Sequence, residues 1–416
     1  MSEIRKKMAR APLKLLDALG VPDNKALDEV TRLARDHAYK LRAQGEIFYS
    51  EPELGNRPFI HVPAKTLGEA WEKAVISVFA FGSPVHTYYD QKEKDGAYKH
   101  VPSREAKVVL EIHDPFNPNI HKNFPGGMDS LIDYGAEVID GNKDHLKMPF
   151  EDLVVAIRTR NPENVEELIK KWEGKWKYTY HERLTAYPQI LPNGEVIRIN
   201  QFEQMLNKLK REPLSKSVEA ITWVPALDHN DGQIVFQDIR GKEHKFRFGD
   251  YDSACFQRWW YRLNPCDGER GRGYRSNVDT DWRSRCLYKA VPMNDFAFMM
   301  WKLIFDEKVE KELGVPIYPG TYFDHSNSLH LYGYYMDPMH PDKGETEGRG
   351  FLNDVLRMML EPIEKRFFVA GTDAHRFQTE YAIETRDRLR KNMADLGKDP
   401  MKLDYLGRDN PLFPVR

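Results

Sequence analysis

Three pieces of sequence, ACFQRWWYRL (254–263), NVDTDWRSRCLYKAVPMNDFAFMMWKLI (277–304) and HSNSLHLYGYYM (325–336), decide how the rest of the chain is arranged. They gather an isolated thiol, a charged and polar strand, and the start of an apolar helix. Residues 251–263 read as a strand with Cys255 near its start, and Asn277 to Arg285 resumes the sheet. Pro292 and Asn294, followed by an apolar run, open a long helix ending near Glu312 or Gly314. The intervening NPCDGERGRG, Asn264 to Gly273, is rich in Gly, Pro and charge and reads as a segment looping out of the sheet. If the pieces converge, Cys255, Arg283, Ser284, Asn294, His330 and Tyr332 line one polar pocket in an aromatic-rich core.

Working outward, residues 1–45 read as two helices. Leu13, Leu15, Leu16 and Leu19 cluster before Gly20, and Leu27, Val30, Leu33 and Ala34 follow at helical spacing. Thr66-Leu67-Gly68-Glu69 is a capping-box pattern ahead of AWEKAVISVFAFG, an apolar helix ended by Gly82. REAKVVLEIHD (104–114) is a largely buried strand, and the Pro/Asn/Gly-rich segment from Pro115 to Gly127 a long loop. Helices are expected over 129–139, 162–172 and 200–212, the last with Phe202, Met205, Leu206 and Leu209 on one face. GQIVFQDIRG and KEHKFRFGD form a hairpin turning at Arg240-Gly241-Lys242. Beyond Tyr335, helices at about 351–366 and 373–396 complete an α+β chain, a mixed sheet backed by helices.

Composition narrows the class. With 416 residues, 41% hydrophobic and 12% aromatic, the chain can bury a large core. Lys+Arg 62 against Asp+Glu 64 gives a net charge of -2, so no polycation advertises nucleic acid or a membrane surface as partner. No run of about 18 apolar residues spans a bilayer. Three cysteines, an odd number, fit a reducing, cytoplasmic setting. No CxxC or HExxH occurs, so no metal is expected.

Each candidate has a plain reading beside a chemical one. A cysteine is most often a small buried apolar group, yet Cys255, near arginines that stabilise a thiolate, is also a candidate nucleophile. A Cys255/His330 pairing is compatible with the spacing, but nothing around Cys255 matches a protease signature. Trp282-Arg283-Ser284 is either a solvated strand end or a phosphate clamp, the guanidinium giving paired bonds and the hydroxyl another donor. Asn294 after a proline is either an N-cap or, with one acceptor and one donor on its amide, a reader of a pyrimidine edge.

Taken in order, Cys255 opening a core strand, Arg283-Ser284, Val291-Pro-Met-Asn294 ahead of a helix, and His330-Leu-Tyr332 resemble the thymidylate synthase family, which includes the dCMP and dUMP hydroxymethylases. TLGEAWEKAV, YTYHERL and INQFEQMLNKLKREPLSKSVEAITWVPALD extend the resemblance over roughly residues 60–335. It implies a thymidylate synthase-like catalytic domain over 59–416, preceded by an N-terminal helical extension over 1–58. It further implies a homodimer that carries a one-carbon unit from 5,10-methylenetetrahydrofolate to C5 of a pyrimidine deoxynucleotide, giving thymidylate or a 5-hydroxymethyl product. A dCMP hydroxymethylase and a non-catalytic nucleotide-binding relative are the alternatives. On this resemblance Cys255 attacks C6, Arg283 and Ser284 hold the phosphate, His330 and Tyr332 the sugar hydroxyl, and Asn294 the base, its amide pointing to dUMP. Glu137 in LIDYGAEVIDG is the candidate acid/base. Departures are Phe256 where the family has His, Cys286 where it has a folate-contacting Asp, the 264–273 insert, and Lys216 and Ser217 in place of two arginines that a neighbouring subunit lends to the phosphate.

Overall fold

In the computed structural model, residues 15–368 are described except 21, 52, 54, 88, 89, 118, 192, 194, 230, 231, 250 and 340–346, together with residue 391; the side chains of 17, 18, 128, 129 and 347–349 are also outside the description. The helix expected over 373–396 falls outside these residues. Among them, a nine-stranded mixed sheet carries the fold. Its strands are β1 (Phe48–Ser50), β2 (Phe59–Ala64), β3 (Ser83–Val85), β4 (Ser103–Ile112), β5 (Glu219–Ile221), β6 (Phe256–Gly268), β7 (Gly271–Trp282), β8 (Arg285–Cys286) and β9 (Ile317–Leu331). They lie in the order β1-β2-β4-β9-β7-β6-β5, with β3 on β4 and β8 on β9. β2 runs parallel to β4, and β7 and β8 run parallel to β9; the other pairs are antiparallel.

Strand periodicity sets which side of the sheet is covered. Ala106, Val108, Leu110 and Ile112 of β4, with Val278, Thr280 and Trp282 of β7, point to the buried side. Three helices meet there: α1 (Asp23–Ala43), α2 (Leu67–Phe81) and, after α3 (Gly127–Asp140), α4 (Tyr180–Thr185) and α5 (Gln201–Arg211), the long central α6 (Ala290–Leu313). α2 starts as the sequence indicates: the Thr66 hydroxyl accepts from Glu69 N at 3.2 Å and the Glu69 carboxylate accepts from Lys65 N at 2.9 Å. α6 is apolar around most of its circumference because it is enclosed, packing on α2, α3, α5 and β9. Phe298 of α6 sits 4.4 Å from the Phe256 ring centroid and 5.5 Å from that of Trp282. Burial of a side chain such as Phe298 contributes roughly 1.5–3 kcal/mol.

A smaller second core lies beside the sheet. Helices Phe150–Arg158 and Pro162–Lys171 pack Leu153, Val165 and Leu168 with Ile234, Phe236 and Phe248 of the expected hairpin, whose strands are Gln233–Gln237 and Glu243–Arg247. At the N-terminus, Ala26, Val30, Ala34 and Ala38 of α1 join the main core against α2. A further helix, α7 (Glu347–Leu360), covers the N-terminal side. Among the described residues no helix is long and apolar enough to cross a membrane.

Two local expectations are corrected. Asn264 to Gly273 does not loop out: β6 and β7 continue through it as a hairpin, pairing Asn264 with Arg275 and Gly268 with Gly271. Pro265 is tolerated because β5 pairs only with residues 258–260, leaving this end of β6 an edge. The glycines are needed for close approach, since a Cβ on Gly273 would meet the Pro316 carbonyl oxygen at 2.1 Å and one on Gly268 the Tyr318 ring at 2.3 Å. Nor is Asn294 an N-cap: α6 begins at Ala290, so Asn294 lies within its second turn, 5% exposed.

Candidate active site

The backbone before β6 is fixed by a buried carboxylate. Asp228, at the end of the short helix Pro225–Asp228, accepts from Val224 N (2.6 Å), Ala254 N (3.2 Å) and the Tyr251 hydroxyl (2.7 Å), and pairs with Arg183 at 3.3 Å. Its carbonyl takes the Ser253 hydroxyl at 3.0 Å. Cys255 follows directly, and a bulge between Phe256 and Arg258 turns the strand just after it. Phe256 is fully buried against Trp282 and Phe298, its N–H donating to the Tyr180 hydroxyl at 3.2 Å. Only the thiol between these anchors faces open space, a cavity of about 630 Å³.

Two arginines, separated by one residue, stand on that cavity in different ways. Arg283 N donates to the Cys255 carbonyl at 2.7 Å; its Nη2 donates to Ser253 O at 2.8 Å and stands 3.8 Å from Cys255 Sγ and 3.7 Å from Asp252. Its side chain is 38% exposed. Arg285 is buried over the Trp282 ring and pairs with Asp295 at 2.6 Å and Asp324 at 2.5 Å, with a further bond to Ser326 at 3.1 Å. Burial alone would lower the Arg285 pKa, but the two carboxylates outweigh it and raise it. Burial holds the Asp295 carboxyl well above its usual range, Arg285 opposing and Asp324 adding to the rise.

The thiol itself is held protonated. Burial pushes the Cys255 pKa up to about 11, Asp252 adds to the rise, and Arg283 and Arg285 pull against it.

Of the residues singled out in the sequence, Cys255, Arg283, Ser284, His330 and Tyr332 line this one cavity, and Cys286 joins them. His330 Nδ1 faces Ser328 O at 3.3 Å, which places the proton on Nδ1 and leaves Nε2, buried and without a partner among the described residues, as an acceptor. Burial lowers the His330 pKa, so the ring is neutral. Tyr332 packs edge-on to it at 4.5 Å, and burial raises its phenol. Cys286 Sγ accepts from Lys289 N at 3.5 Å and lies 3.9 Å from the Tyr335 hydroxyl.

The other three do not line the cavity. Asn294 Nδ2 donates to the Tyr134 hydroxyl at 2.6 Å. Glu137, one turn further along α3, pairs with Lys143 at 2.7 Å, and burial raises its carboxyl despite that lysine. Lys216 is exposed beside β6, its carbonyl accepting from Trp260 Nε1 at 2.8 Å.

Sequence reasoning missed the phenols around the thiol. Tyr134, Tyr178 and Tyr180 are partly buried within electrostatic reach of Cys255, and desolvation raises all three. The local signal was present in YTYHERL, where Thr179 caps α4 by accepting from Glu182 N. It also missed Asp252 and Glu105, two carboxylates on the cavity lining.

No family model matches the chain. It is similar to a protein of Methanosarcina mazei named "Putative thymidylate synthase", 26% identical over 160 residues, covering 33% of this chain and 70% of that one. A protein of Methanocaldococcus jannaschii with the same name is 21% identical over 267 residues, covering 64% of this chain and 88% of that one. Among solved structures, thermostable thymidylate synthase A from Bacillus subtilis aligns with 66% of this chain and 82% of its own at 12% identity, with a TM-score of 0.37.

Proposed function

We propose that this thymidylate synthase-like chain is a transferase that adds a one-carbon unit to C5 of a pyrimidine nucleotide through a covalent bond from Cys255. The observation that carries the reading is one cavity lined by a thiol, a partly exposed guanidinium and a histidine whose buried Nε2 has no hydrogen-bond partner among the described residues. C5 of uracil is a weak nucleophile. The Cys255 thiol gives up its proton to solvent as its sulfur bonds to C6; the C5–C6 π electrons move into the ring carbonyl as an enolate, and C5 can then attack an electrophilic carbon. Loss of the C5 proton expels the sulfur and restores the ring.

Arg283 and Ser284 hold the phosphate, the guanidinium exchanging its long contact to Asp252 for charge-assisted bonds. His330 accepts the sugar hydroxyl with Tyr332 beside it; the resemblance gives the base to Asn294, which Tyr134 holds outside the cavity lining, and on that resemblance dUMP is the reference substrate. The resemblance gives the proton-carrier role to Glu137, whose carboxyl burial raises but which is paired with Lys143 away from the cavity lining. Lys216 serves the phosphate of a second copy in a homodimer. Support for a dimer comes from the sheet face turned away from α2 and α6, where Val109, Trp260 and Phe323 remain partly exposed.

The resemblance implies 5,10-methylenetetrahydrofolate as carbon donor. At the position where the family meets it with a carboxylate, this chain has Cys286, whose sulfur already faces Lys289 N and Tyr335. A thiol cannot accept the paired N–H groups of a pterin, so this wall does not fit that group as the resemblance implies. The departure favours a 5-hydroxymethyl product over thymidylate, and the product's mass, differing by one oxygen, decides between them.

Intact-mass analysis with 5-fluoro-dUMP tests the enzyme reading. One nucleotide adduct per chain is expected, mapping to Cys255 and absent from Cys255→Ala. Saturable binding with no adduct would instead identify a nucleotide-binding scaffold.

A further inference from the structure

The nucleotide reading assigns one acceptor, His330 Nε2, to one sugar hydroxyl. The cavity holds a second acceptor beside it. In the antiparallel pairing of β9 with β4, His330 lies directly opposite Glu105. Residues so paired project from the same face with Cβ atoms about 4.5–5.5 Å apart, and both line the cavity. His330 is 7% exposed and its Nε2 has no partner among the described residues. A neutral imidazole with its proton on Nδ1 accepts a single hydroxyl there.

Glu105 is held in place from behind. β3 pairs with it through Ser83, and a Cβ on Gly82 would come within 3.2 Å of Glu105 N, so the turn into β3 lies close against this part of β4. Its carboxylate meets Arg57 at 3.4 Å; that guanidinium is 52% exposed while Glu105 is 18% exposed. A partner so open to water contributes little, and the two carboxylate oxygens have about four acceptor sites between them. A carboxylate at this place repels a phosphate but accepts hydroxyls, and a carboxylate is a recurrent reader of the ribose 2′-hydroxyl.

We propose that Glu105 and His330 together read a vicinal diol, and that the nucleotide this cavity takes in preference is a ribonucleotide. The inference rests on the nucleotide reading above, keeping its base and its thiol chemistry and changing the sugar. A deoxyribose satisfies His330 and leaves Glu105, shielded by the bound ligand, with only its long contact to the exposed Arg57. A ribose satisfies both. Glu105 is thereby a specificity-determining residue.

The test is isothermal titration of the full chain with uridine monophosphate and with dUMP, repeated on Glu105→Gln and Glu105→Ala. A hydrogen bond to a charged acceptor gives the wild-type protein about a 10-fold or greater preference for the ribonucleotide. The preference shrinks in Glu105→Gln, which keeps a neutral acceptor, and falls to within about 2-fold in Glu105→Ala. The Gln variant keeps the size of the side chain, so it answers the question if the Ala variant does not fold. Wild-type protein that binds dUMP as tightly as the ribonucleotide, or a preference that survives in the variants, overturns the inference and leaves the transferase reading standing. Failure of both nucleotides to bind overturns both readings.

Discussion

Arg283 and Arg285 are neighbours but one in sequence, and they belong to two different kinds of region. At Arg283 the cavity wall is loose: its side-chain contacts to the thiol and to Asp252 are 3.7–3.8 Å long and more than a third of the side chain meets solvent. At Arg285 the cavity floor is closed, with two ion pairs of 2.5–2.6 Å and an aromatic ring beneath. A partly exposed guanidinium whose contacts to the thiol and to Asp252 are long can exchange them for bonds to a ligand. One whose donors are taken by buried carboxylates holds β8, α6 and β9 together and lends the thiol only its field. On the proposed function the difference gives recognition to the first arginine and architecture to the second.

Three substitutions and one titration can break or sharpen this contrast. Arg285→Ala leaves Asp295 and Asp324 facing each other in the interior, and removing one partner of a buried pair costs about 3–5 kcal/mol. Denaturant unfolding should show that loss; a change below about 1 kcal/mol would mean that the floor is not closed. Arg283→Ala should unfold within about 0.5 kcal/mol of wild type, being a partly exposed site. Its nucleotide affinity should fall by about 10-fold or more, a loss read by titration calorimetry. Equal stability losses at the two arginines would erase the contrast.

The thiol titration reads the field of both. A thiol pushed up to about 11 stays protonated at neutral pH, because its pKa lies above the solution pH. Alkylation of Cys255 by iodoacetamide, which follows the thiolate, should therefore still rise about tenfold per pH unit at pH 9, where a free thiol of pKa about 8.5 is levelling off. A plateau below pH 9 would mean that the arginines outweigh burial and Asp252. The smallest effect is expected at Tyr134→Phe, which removes the hydroxyl that orients Asn294; nucleotide affinity should drop by a few fold, about 1 kcal/mol.

What could be read from the sequence was what local pattern encodes. The capped helix α2, the hairpin at residues 233–247 and the long α6 follow from capping residues, turn chemistry and apolar periodicity, each confined to a dozen or two residues. The grouping of Cys255, Arg283, Ser284, His330 and Tyr332 was legible because their order along the chain resembles a known family. The Arg285–Asp295–Asp324 floor was not, since it joins three elements and none of its members stands out locally. Asp228 was equally silent, though it fixes the backbone on which the thiol stands. The hairpin arm at 264–273 was misread because proline and glycine disfavour a strand in general. An edge position and the close approach of residues 316–318 make them suitable here.

The central claim is that the Cys255 sulfur adds reversibly to C6 of a pyrimidine nucleotide. Its most direct test needs no carbon donor: proton NMR of the nucleotide in deuterium oxide, following the C5 proton. Addition at C6 makes C5 basic, so each turn of addition and elimination can exchange that proton for deuterium. The account predicts protein-dependent loss of the C5 signal from dUMP and from uridine monophosphate, slowed by about a thousandfold or more in Cys255→Ala. A C5 signal that persists with wild-type protein while the nucleotide is bound, or exchange unchanged in Cys255→Ala, would contradict it.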